Sequence, residues 1–426
     1  MSQPTSPRRP WSRRPRALRA AGAATLVLVA AAACEGADPL DPIGGGTSPT
    51  VAMSATAATY LKNALDFTQE VFLYRSRINW TTLRAAATDS ARGAQTTAQT
   101  YPGIRTAVRL LGDRHSAFWP PEVAPGRVDA PPANPLYLAS GTTKGKLAYL
   151  YVPTFTGRNP VGRADSILTI VRQLDQAGPC GWILDVRNNP GGFWAAMVAG
   201  INPLLGDGRF LGLSDADQNR VYFNTTGATV SIAQDAPYDS AEVFRASSSY
   251  RLRRPGSPVA ILQGGLTASA GEMIVLAFKG PGKPPSRSFG AYTAGYTTGP
   301  YGVYLPPDSA FLNITATVMF DRNQKIYGDS IAPEQAVAGP SQVNVPGSDD
   351  AVMAAATAWL LARPECVNAA DQPALARIPA PTATGRPAFA RSAPTLDELQ
   401  AGLQGGSRLP VSPVFGGGTL PTPARR

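Results

Sequence analysis

The chain has 426 residues, of which 43% are hydrophobic, a formal net charge of +10 and a single histidine, His115. One histidine excludes a two-histidine metal site and any His-Glu-x-x-His zinc helix, so no metal site is expected, and no cofactor either. Arg8, Arg9, Arg13, Arg14, Arg16 and Arg19 carry much of the positive excess; without them and the last 62 residues the core is near +2, and nucleic-acid binding is not implied.

Residues 1–33 read as an export signal: those arginines, with no acid among them, precede a 14-residue run of small and apolar residues, Ala20 to Ala33. The run has the length of a signal-peptide core and is short for a bilayer span. It ends Ala31-Ala32-Ala33-Cys34, similar to a bacterial lipobox, which makes Cys34 the lipidation candidate and the membrane a partner through a lipid anchor. Residues 34–51 then form a Gly- and Pro-containing tether. With Cys34 assigned to the lipid, Cys180 and Cys366 remain in an oxidising compartment, either as a disulfide or as two buried thiols.

The chain between the ends predicts a helical subdomain over 52–120 and an α/β core over 121–364. Leu61, Leu65, Thr68 and Phe72 recur at helical spacing, Trp80 to Arg92 is alanine-rich, and Pro102-Gly103 opens a helix that Gly112 stops. His115 follows on a loop. From Lys146 a strand runs toward Phe155. Ile167, Ile170, Val171 and Leu174 mark an amphipathic helix, and 195–205 also looks helical. Gly181 to Val186 and Pro258 to Leu262 are near-continuous apolar runs, as in strands buried on both faces. Alternation of this kind means crossover units and an α/β fold. Residues 207–254 are polar and turn-rich and read as an insertion with a hairpin. Residues 365–426, rich in Pro, Ala, Gly and Thr, read as a disordered tail.

Two glycine-containing turns follow the two apolar strands. One is Asp185-Val-Arg-Asn-Asn-Pro-Gly-Gly192; the other is Gln263-Gly-Gly-Leu-Thr-Ala-Ser-Ala-Gly-Glu272. Ser269 falls at a strand-to-helix turn, where unpaired amides and the helix dipole favour negative charge, as an acyl-transfer nucleophile requires. The same residue also reads as a plain helix cap, with Glu272 completing a capping box. His115 taken alone reads as a structural residue sooner than as the chain's one imidazole base.

Together these segments resemble the C-terminal processing (tail-specific) peptidase family. The elements are Asp113-Arg-His-Ser116, the strand ending Pro153-Thr-Phe155, Asp185 to Gly192, Thr267 to Glu272, Gly290-Ala-Tyr-Thr-Ala-Gly295 and Ser330-Ile-Ala-Pro-Glu334. The family's better-known bacterial members place a lysine base after the Gly-x-x-Thr-x-Gly element; here that position is Tyr296. The nisin-resistance and tricorn-core branches instead pair the serine with a histidine in an Asp-x-His context. About 30 residues separate His115 from Lys146, too few for a PDZ domain, and the nisin-resistance-like branch is the nearer resemblance.

The resemblance implies a crotonase/ClpP-like α/β core with Ser269 as nucleophile and His115 as general base. Backbone amides of Ala270 and of Gly191 or Gly192 would form the oxyanion hole. Asp113, Asp321 and Asp329 are candidates to orient the histidine, or the pair acts alone. It implies an exported serine peptidase at the cell envelope, acting on an extended peptide or an unstructured chain end laid between the helical part and the core. The alternatives are a non-catalytic peptide- or hydrophobic-ligand-binding protein on the same fold, and an esterase or acyl transferase using the same pair.

Overall fold

The computed structural model describes residues 52–124, 135–155, 159–234, 241–370 and 378–379. The export signal (1–33), Cys34, the tether as far as residue 51 and most of the expected tail lie outside the described residues.

Three helices come first. α1 (Ala55–Val71) starts at Ser54, whose hydroxyl accepts from the Ala57 N–H, and α2 (Trp80–Ser90) starts at Asn79, whose side chain accepts from the Thr82 N–H. α3 (Tyr101–Leu111) carries Pro102 in its first turn and ends at Gly112, whose φ of +75° glycine adopts without a Cβ penalty. The loop that follows carries His115 into β1 (Ala117–Trp119).

β2 (Ser140–Lys144) and β3 (Leu147–Tyr151) open the core, followed by α4 (Pro160–Gln176), β4 (Gly181–Asp185) and α5 (Trp194–Leu205). Four strands come next: β5 (Gly208–Asp215), β6 (Arg220–Thr226), β7 (Thr229–Gln234) and β8 (Ala241–Arg245). β9 (Val259–Gln263), α6 (Ala270–Ala277) and β10 (Ser286–Gly290) complete the crossover pattern. The long hairpin of β11 (Thr298–Leu305) and β12 (Ala310–Phe320) precedes the short β13 (Ile326–Tyr327) and β14 (Gln335–Ala336). α7 (Ala351–Leu361), α8 (Pro364–Val367) and β15 (Ile378–Pro379) end the described chain.

One sheet has the order β14-β10-β9-β4-β3-β2-β15, parallel from β14 to β3. Every residue of β3, β4 and β9 is buried, which is why these strands are apolar throughout. Alternation along the strands splits their side chains between two layers. Ala148, Leu150, Trp182, Leu184 and Ile261 pack under α4, α5 and α6, while Tyr149, Ile183, Ala260 and Leu262 pack under α7. β4 and β9 are neighbours, so the turns that leave their carboxyl ends emerge side by side.

The other sheet is antiparallel, in the order β1-β12-β5-β6-β7-β8, with β11 and β13 also paired to β12. Residues 207–254 therefore form four strands of a main sheet rather than an insertion with a hairpin. Their polar look has a simple cause: Val230 and Ile232 face the core while Thr229 and Ser231 alternate with them. The helices α1–α3 do not stand apart either. Leu61, Leu65, Phe72 and Ile104 share one apolar cluster with Tyr301, Val303, Leu312 and Ile314 of β11 and β12.

The expected tail boundary at 365 also shifts. Pro364–Val367 is helical, and Cys366 is buried and disulfide-bonded to Cys180, with Cα atoms 5.0 Å apart. No helix among the described residues is long and apolar enough to cross a membrane.

Candidate active site

Ser269 sits where β9 hands over to α6, with φ +50° and ψ −113°. Positive φ is uncommon for a serine and persists where surrounding contacts fix it. Those contacts are mostly to the backbone. The Ala268 N–H donates to the Asn189 carbonyl at 2.9 Å, the Thr267 hydroxyl to the Val186 carbonyl at 3.0 Å, and the Ser269 N–H to Glu272 Oε2 at 2.9 Å. The Glu272 half of the expected capping box is therefore present. Ala270, at the first position of α6, has an N–H with no intrahelical acceptor.

Glu272 does more than cap. Fully buried, its Oε1 accepts from the Thr293 hydroxyl and the Gly295 N–H, and its Oε2 also accepts from the Tyr296 N–H at 2.8 Å. Burial raises its carboxyl above the usual range, against the lowering effect of these hydrogen bonds. One carboxylate thus ties the serine turn to the loop before β11.

The turn after β4 presses against Ser269. Gly191 and Gly192 have φ of +110° and +115°. A Cβ on Gly191 would stand 2.9 Å from the Ser269 Cβ and 3.3 Å from the Ala270 nitrogen, and one on Gly192 would stand 2.0 Å from the Phe155 carbonyl oxygen. Both positions demand glycine on two counts, conformation and space. Asn189 organises the turn: its Nδ2 donates to the Val152 and Pro153 carbonyls, and its Oδ1 accepts from the Gly191 N–H at 3.0 Å. That bond engages the Gly191 amide inside the turn and leaves Gly192 as the oxyanion candidate. Beneath it lies a buried ion group, with Arg187 paired to Asp185 at 2.7 Å and to Asp350 at 2.8 Å.

His115 approaches from the helical side. Its N–H donates to Asp113 Oδ2 at 3.0 Å, an oxygen that also accepts from the Ser116 N–H and the Thr315 hydroxyl. Asp113 therefore shapes the loop rather than gripping the ring. The ring Nδ1 lies 2.9 Å from Thr298 Oγ1, and the Tyr296 ring stands edge-on to the imidazole at a centroid distance of 5.2 Å. Burial pushes the His115 pKa down to about 4, with the Asp113 charge and a hydrogen bond to the Thr298 backbone pulling the other way.

The other two acids have hydrogen-bond partners other than the ring. Asp321 is buried in the turn between β12 and β13, accepting from the Asn323 and Lys325 N–H groups and the Tyr327 hydroxyl. Asp329 is exposed and accepts from the Ser330 N–H at 2.8 Å. It lines, with Tyr74, Arg77, Arg114, His115 and Tyr296, a cavity of about 350 Å³. Arg114 lies over the Tyr296 ring at 5.2 Å. Thr298 and Asn189 have no counterpart among the sequence candidates. Asn189 lies inside the quoted Asn-Asn-Pro-Gly-Gly run, whereas Thr298 meets His115 across 183 residues and leaves no local signal.

The peptidase family S41 model matches residues 146–337, a span that contains both turns, Ser269 and Thr298. This part of the chain is a peptidase family S41 domain. By that membership the protein is a serine-type peptidase; His115 lies outside the matched span. The chain is 26% identical over 268 residues to the nisin-resistance protein of Lactococcus lactis subsp. lactis, covering 63% of this chain and 79% of that protein. A solved lipoprotein from Streptococcus agalactiae shares the fold, with a TM-score of 0.55 at 20% identity, covering 72% of this chain and 96% of that one.

Proposed function

We propose that this S41 protein is an exported serine peptidase that uses Ser269 as nucleophile and His115 as general base. The observation that carries this reading is Tyr296. Its N–H bonds the same Glu272 carboxylate that holds the Ser269 N–H, and its ring packs against the His115 imidazole. The residue standing where related enzymes have a lysine base thus links serine to histidine.

In the proposed reaction His115 takes the Ser269 hydroxyl proton as Oγ attacks the scissile carbonyl carbon. The Ala270 and Gly192 N–H groups receive the resulting oxyanion, aided by the positive end of α6. The imidazolium returns its proton to the leaving amine, and a water activated by the same imidazole releases the acyl group. The half-buried imidazole, with its pKa pushed down by desolvation, stays neutral at pH 7, the form a base requires.

The parallel sheet flanked by α4–α6 and α7 supports a crotonase/ClpP-like core. The arginine-rich leader and the Ala-Ala-Ala-Cys34 sequence support export and lipid anchoring, and peptides or chain ends as substrates follow from the family. Nisin, the peptide in the name of the Lactococcus lactis relative, is a rational first substrate to offer. Ser269→Ala and His115→Ala are each expected to abolish peptide cleavage with melting behaviour unchanged. Near-wild-type cleavage by His115→Ala overturns the pair.

A further inference from the structure

We propose that Thr298 is the positioning residue of this site: its Oγ1 accepts the Nδ1–H of His115, fixing the tautomer whose lone pair sits on Nε2. This rests on the reading of His115 as the base, and it fills the place that a carboxylate holds in a serine–histidine–acid triad.

The observations come from both partners. Among the described residues no acid hydrogen-bonds the ring: Asp113 Oδ2 takes two backbone amides and Thr315 while its buried Oδ1 is unpaired, Asp321 accepts within its own turn and Asp329 from Ser330. Thr298 meets the ring directly, its hydroxyl oxygen 2.9 Å from Nδ1 and its backbone also hydrogen-bonded to the imidazole. Thr298 is itself buried, 8% exposed, and opens β11 in register with Val318 of β12. The residue before it is pinned as well, the Thr297 carbonyl accepting from the Met319 N–H at 3.0 Å and its hydroxyl donating to the Asp329 carbonyl at 2.8 Å. A β-branched side chain on a fixed strand has little χ1 freedom, so the oxygen is presented at a set point.

The chemistry separates a threonine from an acid. Which ring nitrogen carries the proton is set by what the other nitrogen meets. Unlike a carboxylate, a hydroxyl can accept from Nδ1–H or donate to a bare Nδ1; it is proposed to accept here, and it brings no negative charge to stabilise the imidazolium. The arrangement therefore orients the base and leaves its charge state to the surroundings: Asp113, Arg114, Tyr296 and the more distant Arg77, Tyr74 and Asp329 of the cavity wall.

The test uses the full-length protein labelled with ¹⁵N-histidine, where a single ring gives the whole signal. At neutral pH the wild-type spectrum is expected to show protonated Nδ1 and bare Nε2. Thr298→Val, which removes the oxygen and keeps the shape, is expected to shift the ring toward the Nε2–H form. It should lower kcat on a cleaved peptide by at least about tenfold with KM little changed. Thr298→Ser is expected to restore both the tautomer and most of kcat. A wild-type ring protonated on Nε2 overturns the proposal, and so does a folded Thr298→Val protein with unaltered tautomer and kcat. If Thr298→Val does not fold, the wild-type spectrum and Thr298→Ser still decide the matter. Full activity in His115→Ala sinks the catalytic reading while leaving the tautomer result standing, so the two failures are distinguishable.

Discussion

At the proposed nucleophile the ties run largely between backbone groups, whereas at the proposed base every tie involves a side chain. Ser269 is set by the Ala268 amide on the Asn189 carbonyl, by Glu272 on its own amide and by two glycines at positive φ. His115 is set by Asp113 of its own loop and by Tyr296 and Thr298 of the segment that opens β11. The difference follows from where each half is built. The serine turn lies at the carboxyl ends of adjacent buried parallel strands, a frame that leaves the backbone little choice. The histidine hangs from a loop between a helix and an edge-paired strand, and side chains must supply the order. The first arrangement resists substitution except at the residues that close the turn; the second is open to single side-chain changes.

The sharpest way to break the nucleophile side is Asn189→Ala. It removes the acceptor of the Gly191 N–H and the donor to Val152 and Pro153, leaving buried partners unpaired. Loss of oxyanion geometry is expected to cut kcat by about 10²–10³-fold. A peptide assay on protein with an intact disulfide checks this, and a near-normal kcat would mean that the turn holds without its asparagine.

Glu272→Gln probes the link between the halves. A carboxamide cannot accept at both ends, so one pair of donors, Ser269 and Tyr296 or Thr293 and Gly295, loses its acceptor. The expected cost is about 2 kcal/mol of stability, seen as a lowered Tm together with a broadened His115 ring signal. An unchanged Tm would show that the carboxylate contributes nothing net.

The smallest effect is on pH dependence. Desolvation holds the half-buried imidazole down to about 4, so the base form persists well below the ordinary histidine range. Activity should rise with pH through about 4 and be flat near neutrality. Tyr296→Ala opens the ring to water, which favours the imidazolium, so the acid limb should move upward toward 6.5, the ordinary histidine value. A wild-type limb already near 6.5 would mean that the ring is solvated in solution.

Much of this was legible in the sequence where the signal is local. The apolar runs of β4 and β9, the amphipathic stripe of α4 and the glycine-bearing turns all declare themselves, because burial on both faces and positive φ leave compositional marks. The antiparallel sheet was much less legible: Thr229 and Ser231 dilute the pattern of β7, and the β11–β12 hairpin owes its burial to helices about 200 residues earlier. The orienting contact was illegible for the same reason. An aspartate two residues before a histidine looks like its partner, yet Asp113 turns to backbone amides, and the hydroxyl at the ring comes from a strand 183 residues away.

The most direct test of the central claim is covalent labelling with a fluorophosphonate probe, followed by peptide mapping and rate measurement. The account predicts a stoichiometric adduct on Ser269 in the wild type, none in Ser269→Ala, and a rate lowered at least about a hundredfold in His115→Ala. An adduct-free Ser269 in folded wild-type protein, or a His115→Ala rate equal to wild type, would contradict it.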